Sequence, residues 1–276
     1  MWVLSLLAAT LLACAVDMAN AQSSTQVCKP FASGLISGPP TLDRSQPAPV
    51  GDAAAFLAGA TKDCPGCDLR GAQLQRRNFA GADLRGADIS GASLHRANLA
   101  GARLDGAKLV RANLNRADLK RASLIEADLS AALLYQADLS GAQLGNADLS
   151  GARLQHARLS QAGLHSAKLT GALARFAALA GADLRKADLQ LANFQEADLQ
   201  RTDLRGANLT NGGFVRANFT AADLSQASAF NADFLAAEFT DARLANADLR
   251  GIRIDGAELT CANFDNAILG PAAQPQ

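Results

Sequence analysis

The 276-residue chain has no surplus of charge of either sign, with 26 Lys+Arg against 26 Asp+Glu. General binding to nucleic acid, or to an anionic membrane through a polybasic surface, rests on surplus positive charge, so neither is the expected function; local patches are still allowed. Aromatics are scarce too, at 5% of residues with one Trp and one Tyr, in a chain that is 49% hydrophobic. Ala and Leu supply most of the apolar content, which points to a regular, repetitive core and away from the mixed core of a conventional enzyme. Glycine (23) and proline (8) are too few for a collagen-like chain. The three histidines, His95, His156 and His165, do not form H-E-x-x-H, and there is no G-x-S-x-G and no phosphate-binding glycine loop. The chain is read as non-enzymatic, with no catalytic, metal or cofactor residues assigned.

What is present begins with an apolar run from Trp2 to Val16. It is shorter than the ~20 residues a membrane-spanning helix needs. Ala19-Asn20-Ala21 follows as an A-x-A cleavage signature, so residues 1–21 read as a secretory signal peptide, although no Lys or Arg precedes the apolar run. An alternative uses Leu11-Leu12-Ala13-Cys14, which is similar to a bacterial lipobox and would make Cys14 the lipidated first residue of a membrane-anchored lipoprotein. Residues 22–51 carry Pro30, Pro39, Pro40, Pro47 and Pro49 and read as a linker or arm. Asp52 then caps a short helical signal containing Phe56 and Leu57, placed over 52–63, which would cover the end of the domain that follows.

That domain, over 64–270, has a five-residue period, as in Ala82-Asp83-Leu84-Arg85-Gly86. Large apolar centres fall at Leu69, Leu74, Phe79 and every fifth residue to Leu269, giving 41 pentads with no insertion. The centre is Leu in 30, Phe in 7, Ile in 2 and Ala in 2, and the residue two before it is Ala in 36. The exceptions at that small position are Cys67, Arg77, Thr202, Gly212 and Ile252. A period of five fits neither a helix nor a long strand, but it places a large and a small apolar residue on one side of an extended segment. Each segment must end in a corner, filled by Gly or by small polar residues. Four sides close a square coil of 20 residues, a length that the spacing of Phe194, Phe214 and Phe234, and of Phe219 and Phe239, supports. About ten coils at the ~4.8 Å spacing of paired strands predict a rod about 49 Å long.

These pentads resemble the pentapeptide-repeat family, whose consensus is A(D/N)LXX. The resemblance covers about three quarters of the chain and implies an all-β fold, a right-handed quadrilateral β-helix with centre and Ala inward and the other three residues outward. Its best understood members resemble a DNA duplex and bind DNA gyrase, which makes a cytoplasmic gyrase modulator one alternative function. That alternative sits poorly with the charges: residues 65–169 hold 14 Lys+Arg and 9 Asp+Glu, and residues 170–269 hold 9 and 13. Cys64-Pro65-Gly66-Cys67 is a C-x-x-C followed by Asp68, so it lacks the His that haem attachment needs. It resembles the entry to the repeat in envelope members of the family. The phase places Cys64 and Cys67 inside the first turn as core-capping or disulfide residues, and a thiol/disulfide function is a further alternative. With Cys28 and Cys261 the processed chain would hold four cysteines and three possible pairings; Cys261 is expected to point outward, where pairing with another chain is one option.

The carboxylates before the centres, such as Asp118 and Asp148, read as solvated wall residues. In the 20-residue register Arg76, Arg96 and Arg116 share one outward column, followed on the same face by Leu133 and Tyr135, His156, Leu173 and Phe176, then Val215 and Leu235. Arg76, Arg96, Arg116, Tyr135 and Phe176 are the candidate partner face. The partner expected is a protein of the cell envelope; no nucleic-acid partner is expected, and a membrane only if Cys14 is lipidated. A homodimer through the last coils, with Ile252, Ile254, Phe264 and Ile268, is a second possible contact, and residues 271–276 form a disordered polar tail. Intact mass of the protein from native cell fractions tests export: a soluble envelope species beginning at Gln22 is expected, and an unprocessed cytosolic chain would overturn the reading.

Overall fold

The computed structural model describes residues 50–270. The chain divides after Pro49, and all described residues belong to the second unit, Val50–Gln276. The expected signal segment 1–21 with Cys14, the arm up to Pro49 with Cys28, and the tail 271–276 lie outside the described residues.

The helix, α1, spans Ala53–Ala58, shorter than the 52–63 expected. The Asp52 side chain accepts from the Ala55 N–H at 3.0 Å, satisfying a first-turn donor. Gly59, at φ 81°, ends the helix, because a left-handed residue there turns the chain away at no Cβ cost. Phe56 is buried and stacks on Phe79, with centroids 5.0 Å apart. The guanidinium of Arg77 donates to the carbonyls of Leu57 and Phe56, at 3.1 and 2.9 Å, and lies over both rings. An arginine at an inward position is thus explained: it satisfies carbonyls at the end of α1 while its stem and planar head cover apolar rings. The residues just ahead of α1 are packed as well, since the Gly51 N–H donates to the Pro65 carbonyl at 2.7 Å.

From Asp68 to Ile268, parallel bridges join each residue before a centre to the one 20 positions on. Leu134 shows how one pentad satisfies its backbone. Its N–H donates to Arg153 O at 2.8 Å in the next coil, and the N–H of Ala137 returns to Leu134 O at 3.0 Å across the corner. With Gln136 at φ 56° in the third position, that corner is a type II turn. Every corner residue from Gly66 to Asn266 has positive φ, 27 of them non-glycine and 14 glycine, which accounts for all 41. The expectation of glycine or small polar residues is corrected here, because Arg76, Phe176 and Leu191 occupy corners. The ladder on both sides holds them there, against a left-handed cost of roughly 1–2 kcal/mol per residue.

One amide per pentad remains, that of the residue after the centre. Asp or Asn precedes the centre in 21 pentads, and in all 21 its Oδ1 accepts this amide, as Asp148 does from Ser150 at 2.9 Å. The Asp/Asn preference is therefore an Asx-turn requirement of the wall, and these carboxylates are more than solvated surface.

Inside, centres from Leu69 to Leu249 are at most 2% exposed. The phenylalanines form stacks, Phe194–Phe214–Phe234 at 5.7 and 5.3 Å and Phe219–Phe239 at 4.9 Å. Gly212 gives room to this cluster, since a Cβ there would come within 2.5 Å of the Phe214 ring. Thr202, 1% exposed, satisfies its hydroxyl by donating to Leu199 O at 2.7 Å. In the last coil, the amides of Ile254, Leu259 and Phe264 have no backbone acceptor among the described residues, and Ile268 is 53% exposed.

Several wall carboxylates also hold an arginine two residues on. The Arg85 guanidinium, hydrogen-bonded to Asp83, keeps that carboxyl below its usual range. At Asp183 burial pushes the other way, but side-chain and backbone hydrogen bonds from Arg185 together outweigh it and the carboxyl is again lowered. Groups lowered in this way add stability that is present above the unfolded carboxylate pKa of about 3.9 and is lost as pH falls through the lower folded values. Thermal melts should therefore show Tm falling below about pH 4. Asp183→Ala should cost about 1–3 kcal/mol at pH 7 and Asp183→Asn, which keeps the amide acceptor, clearly less. Equal losses for the two variants would assign the stability to the guanidinium pair alone.

Candidate functional site

The face whose centres are Leu74, Leu94, Leu114, Leu134, Leu154 and Ala174 carries the least self-neutralised surface. Arg76, Arg96 and Arg116 occupy its corners on three successive coils, each at φ 58°. The coils are locked in register by their own amides: Arg76 N–H to His95 O and Arg96 N–H to Asn115 O at 3.0 Å, then Arg116 N–H to Tyr135 O at 2.9 Å. Among the described residues no carboxylate pairs with these three or with Arg153; Arg116 Nε donates to Gln136 Oε1 at 2.9 Å. Elsewhere the wall is laced with ion pairs, such as Asp183–Arg185–Asp203–Arg205.

The same columns then turn aromatic. Tyr135 meets His156 edge-on at 5.6 Å, and His156 stacks on Phe176 at 4.9 Å with 16° between the planes. The Arg175 guanidinium lies 4.5 Å from the Phe176 centroid and pairs with Glu196 at 2.9 Å. Tyr135 and Phe176 remain 39% and 36% exposed, so the cluster is a surface feature and no part of the core. It lines an open cleft of about 560 Å³ formed by Asn115, Leu133, Tyr135, Arg153, Gln155, His156, Arg175 and Phe176. Asn115 shapes its edge by accepting the Tyr135 amide at 2.9 Å.

Tyr135 and Phe176 thus lie in one cleft, directly continuous with the Arg76–Arg96–Arg116 column, while Val215 and Leu235 are half-buried and do not line it. Arg153, Gln155 and Arg175 were not singled out from sequence. The signal was available, because 115, 135, 155 and 175 are one column of the 20-residue register and 133, 153 and 173 another on the same wall, but a polar or charged residue in a polar wall carries no mark of its own.

Cys64 and Cys67 are disulfide-bonded with Cα atoms 5.5 Å apart, and they are 0% and 2% exposed. Gly51 lies against the bond, where a Cβ would meet Cys64 Cα at 2.6 Å and Cys67 Sγ at 3.0 Å. Thiol–disulfide exchange needs an attacking thiolate to reach a sulfur, and this covering removes that access, so the bond serves to pin the first turn. Cys261 is exposed but already disulfide-bonded within this chain, which corrects its expected availability to a second one. Among the described residues there is no group of three or more His, Cys, Asp or Glu that would hold a metal, and no helix is long and apolar enough to cross a membrane.

Comparison with known proteins gives a consistent picture. The family described as pentapeptide repeats matches in eight copies, over residues 67–106, 97–136, 137–173, 175–211 and 232–270. No curated protein matches the sequence significantly. Among solved structures the chain is similar to HetL of Nostoc sp. strain PCC 7120, a pentapeptide repeat protein involved in heterocyst differentiation regulation. Identity is 32% over 80% of this chain and 96% of that one, with a TM-score of 0.40. It is also similar to QnrB1, a plasmid-mediated fluoroquinolone resistance protein, at 17% identity over 74% of this chain and 90% of that one, TM-score 0.30. A pentapeptide repeat protein of the Arabidopsis thaliana thylakoid lumen matches at 22% identity over 54% of this chain and 73% of that one, TM-score 0.17.

Proposed function

Because the chain belongs to the pentapeptide-repeat family, whose members fold as right-handed quadrilateral β-helices, we propose that it is an exported, non-enzymatic protein that presents one wall of its helix to a protein partner. The observation that carries this reading is the exposed aromatic cleft of Tyr135, His156 and Phe176, continuous with the unpaired arginine column. Clustered aromatics beside arginine at a surface are the composition of interaction sites, where large rigid side chains give contact area at low entropic cost. Export is supported by the apolar segment with its Ala19-Asn20-Ala21 signature and by disulfide-bonded cysteines, which persist in oxidising compartments. A gyrase-modulating DNA mimic needs an extended acidic surface, and the surplus of basic residues over 65–169 gives that reading no support.

Charge reversal of Arg76, Arg96 and Arg116 together should abolish capture of envelope proteins by the purified chain while leaving its melting temperature close to that of the parent. Unchanged capture would sink the electrostatic half of the proposal. The last coil, whose Ile254, Leu259 and Phe264 amides have no backbone acceptor among the described residues and whose Ile268 is exposed, is the surface on which a second copy would pair. Sedimentation should then show a mass that rises with concentration, and a concentration-independent monomer would exclude this contact.

A further inference from the structure

On the wall that carries the cleft, outward positions from Gln73 to Phe176 hold five arginines and no carboxylate. Beyond them the face becomes mixed in sign, with Glu196, Asp233 and Asp255 alongside Arg216 and Arg253. The positive stretch covers five coil spacings, about 24 Å at the ~4.8 Å separation of paired strands. An extended polypeptide of about seven residues spans that distance at its ~3.4 Å rise per residue.

Corner chemistry singles out the same wall. All four corner columns require positive φ, where glycine is the residue of least strain. Three columns use it freely, at four or five positions each. The column that runs through Arg76, His156 and Phe176 has one glycine in its ten corners, Gly256 at the far end. Side chains are thus kept where the backbone disfavours them, on the wall that holds the Arg76–Arg96–Arg116 column and the Tyr135–His156–Phe176 cluster. Strain held at a surface in this way is an indication of function. Six successive pentads, 153 to 178, also lack the Asp or Asn that elsewhere accepts the wall amide, so the N–H groups of Gln155 and Arg175 in the cleft have no protein acceptor among the described residues.

Resting on the reading of this wall as the contact surface, we infer that its partner contributes a short acidic segment of polypeptide, whose carboxylates meet the arginine column and whose apolar anchor residue sits in the cleft. Charge complementarity sets the acidic part, and a cleft lined by rings sets the anchor. A nucleic acid fits less well for two reasons. Phe176 is already stacked on His156 and covered by Arg175, so its ring is not a free platform for a base. A long, uniformly charged strand would also find no continuous positive surface beyond Phe176, where Glu196, Asp233 and Asp255 alternate with Arg216 and Arg253.

The test uses the full processed chain and a fluorescent ten-residue peptide of alternating Glu and Gly ending in Trp, read by anisotropy. Binding is expected to weaken as salt rises, at least tenfold when Trp is replaced by Ala, and at least tenfold in the triple variant Arg76→Gly, Arg96→Gly, Arg116→Gly. Because glycine suits those corners, the triple variant should melt at or above the parent temperature, which separates lost binding from lost folding. Arg111→Gly, a corner change on another wall, should bind as the parent does. A twelve-residue oligo-dT that binds as tightly as the peptide, or peptide binding that survives the triple variant, would overturn the inference. Failure of the peptide to bind, while capture of envelope proteins still depends on the three arginines, would overturn the acidic-segment inference and leave the surface reading standing; loss of both would overturn both.

Discussion

A backbone that turns a corner every fifth residue has to put one residue per pentad at positive φ, and the whole structure depends on keeping that demand in phase for 41 corners. The phase is held by hydrogen bonds at a fixed offset of about one coil. The centre donates forward and the residue before it donates back, so a corner residue is clamped between two coils and cannot relax its own dihedrals. A single inserted residue would misplace every later donor by one position. The unbroken run of centres from Leu69 to Leu269 is the consequence.

That clamp explains how a wall of non-glycine corners is tolerated. Each coil before the last buries its centres and their small partners almost completely, and adjacent coils repeat the same contacts, so stability accumulates by neighbours as in other solenoids. The local strain at Arg96 or Phe176 is carried by the ladder above and below it. Function then has freedom to vary three outward residues per pentad without touching the core. The uneven use of that freedom, with ion-paired walls elsewhere and an unpaired arginine column leading into an aromatic cleft on one, gives a uniform rod a single distinguishable side.

The two ends follow different logic. At the start, α1 places Phe56 on Phe79, Arg77 ties the helix carbonyls, and the Cys64–Cys67 bond fixes the first turn, so the first coil's ring is covered. At the last coil, the amides of Ile254, Leu259 and Phe264 have no backbone acceptor among the described residues, and these side chains are only partly buried. An edge of that kind is where an added chain gains most, because every new backbone bond satisfies a group already desolvated in part.

By itself the sequence determined the period, the 20-residue coil, the inward and outward positions and the column in which Arg76, Arg96 and Arg116 fall, because a strict repeat turns residue number into spatial address. It also marked Tyr135 and Phe176, since rare aromatics in an Ala/Leu chain stand out. Other features belong to atoms of different coils or to orientation, and periodicity carries neither. Arg77 needed the position of α1 before its inward place made sense. The role of Asp148 and its equivalents needed the direction of an amide two residues away, and Arg153 and Arg175 became cleft residues only when stacking brought their coils together. Positive φ at arginine and phenylalanine corners is likewise a decision of tertiary structure: the isolated pentad would choose glycine, and only the ladders on both sides hold another side chain there.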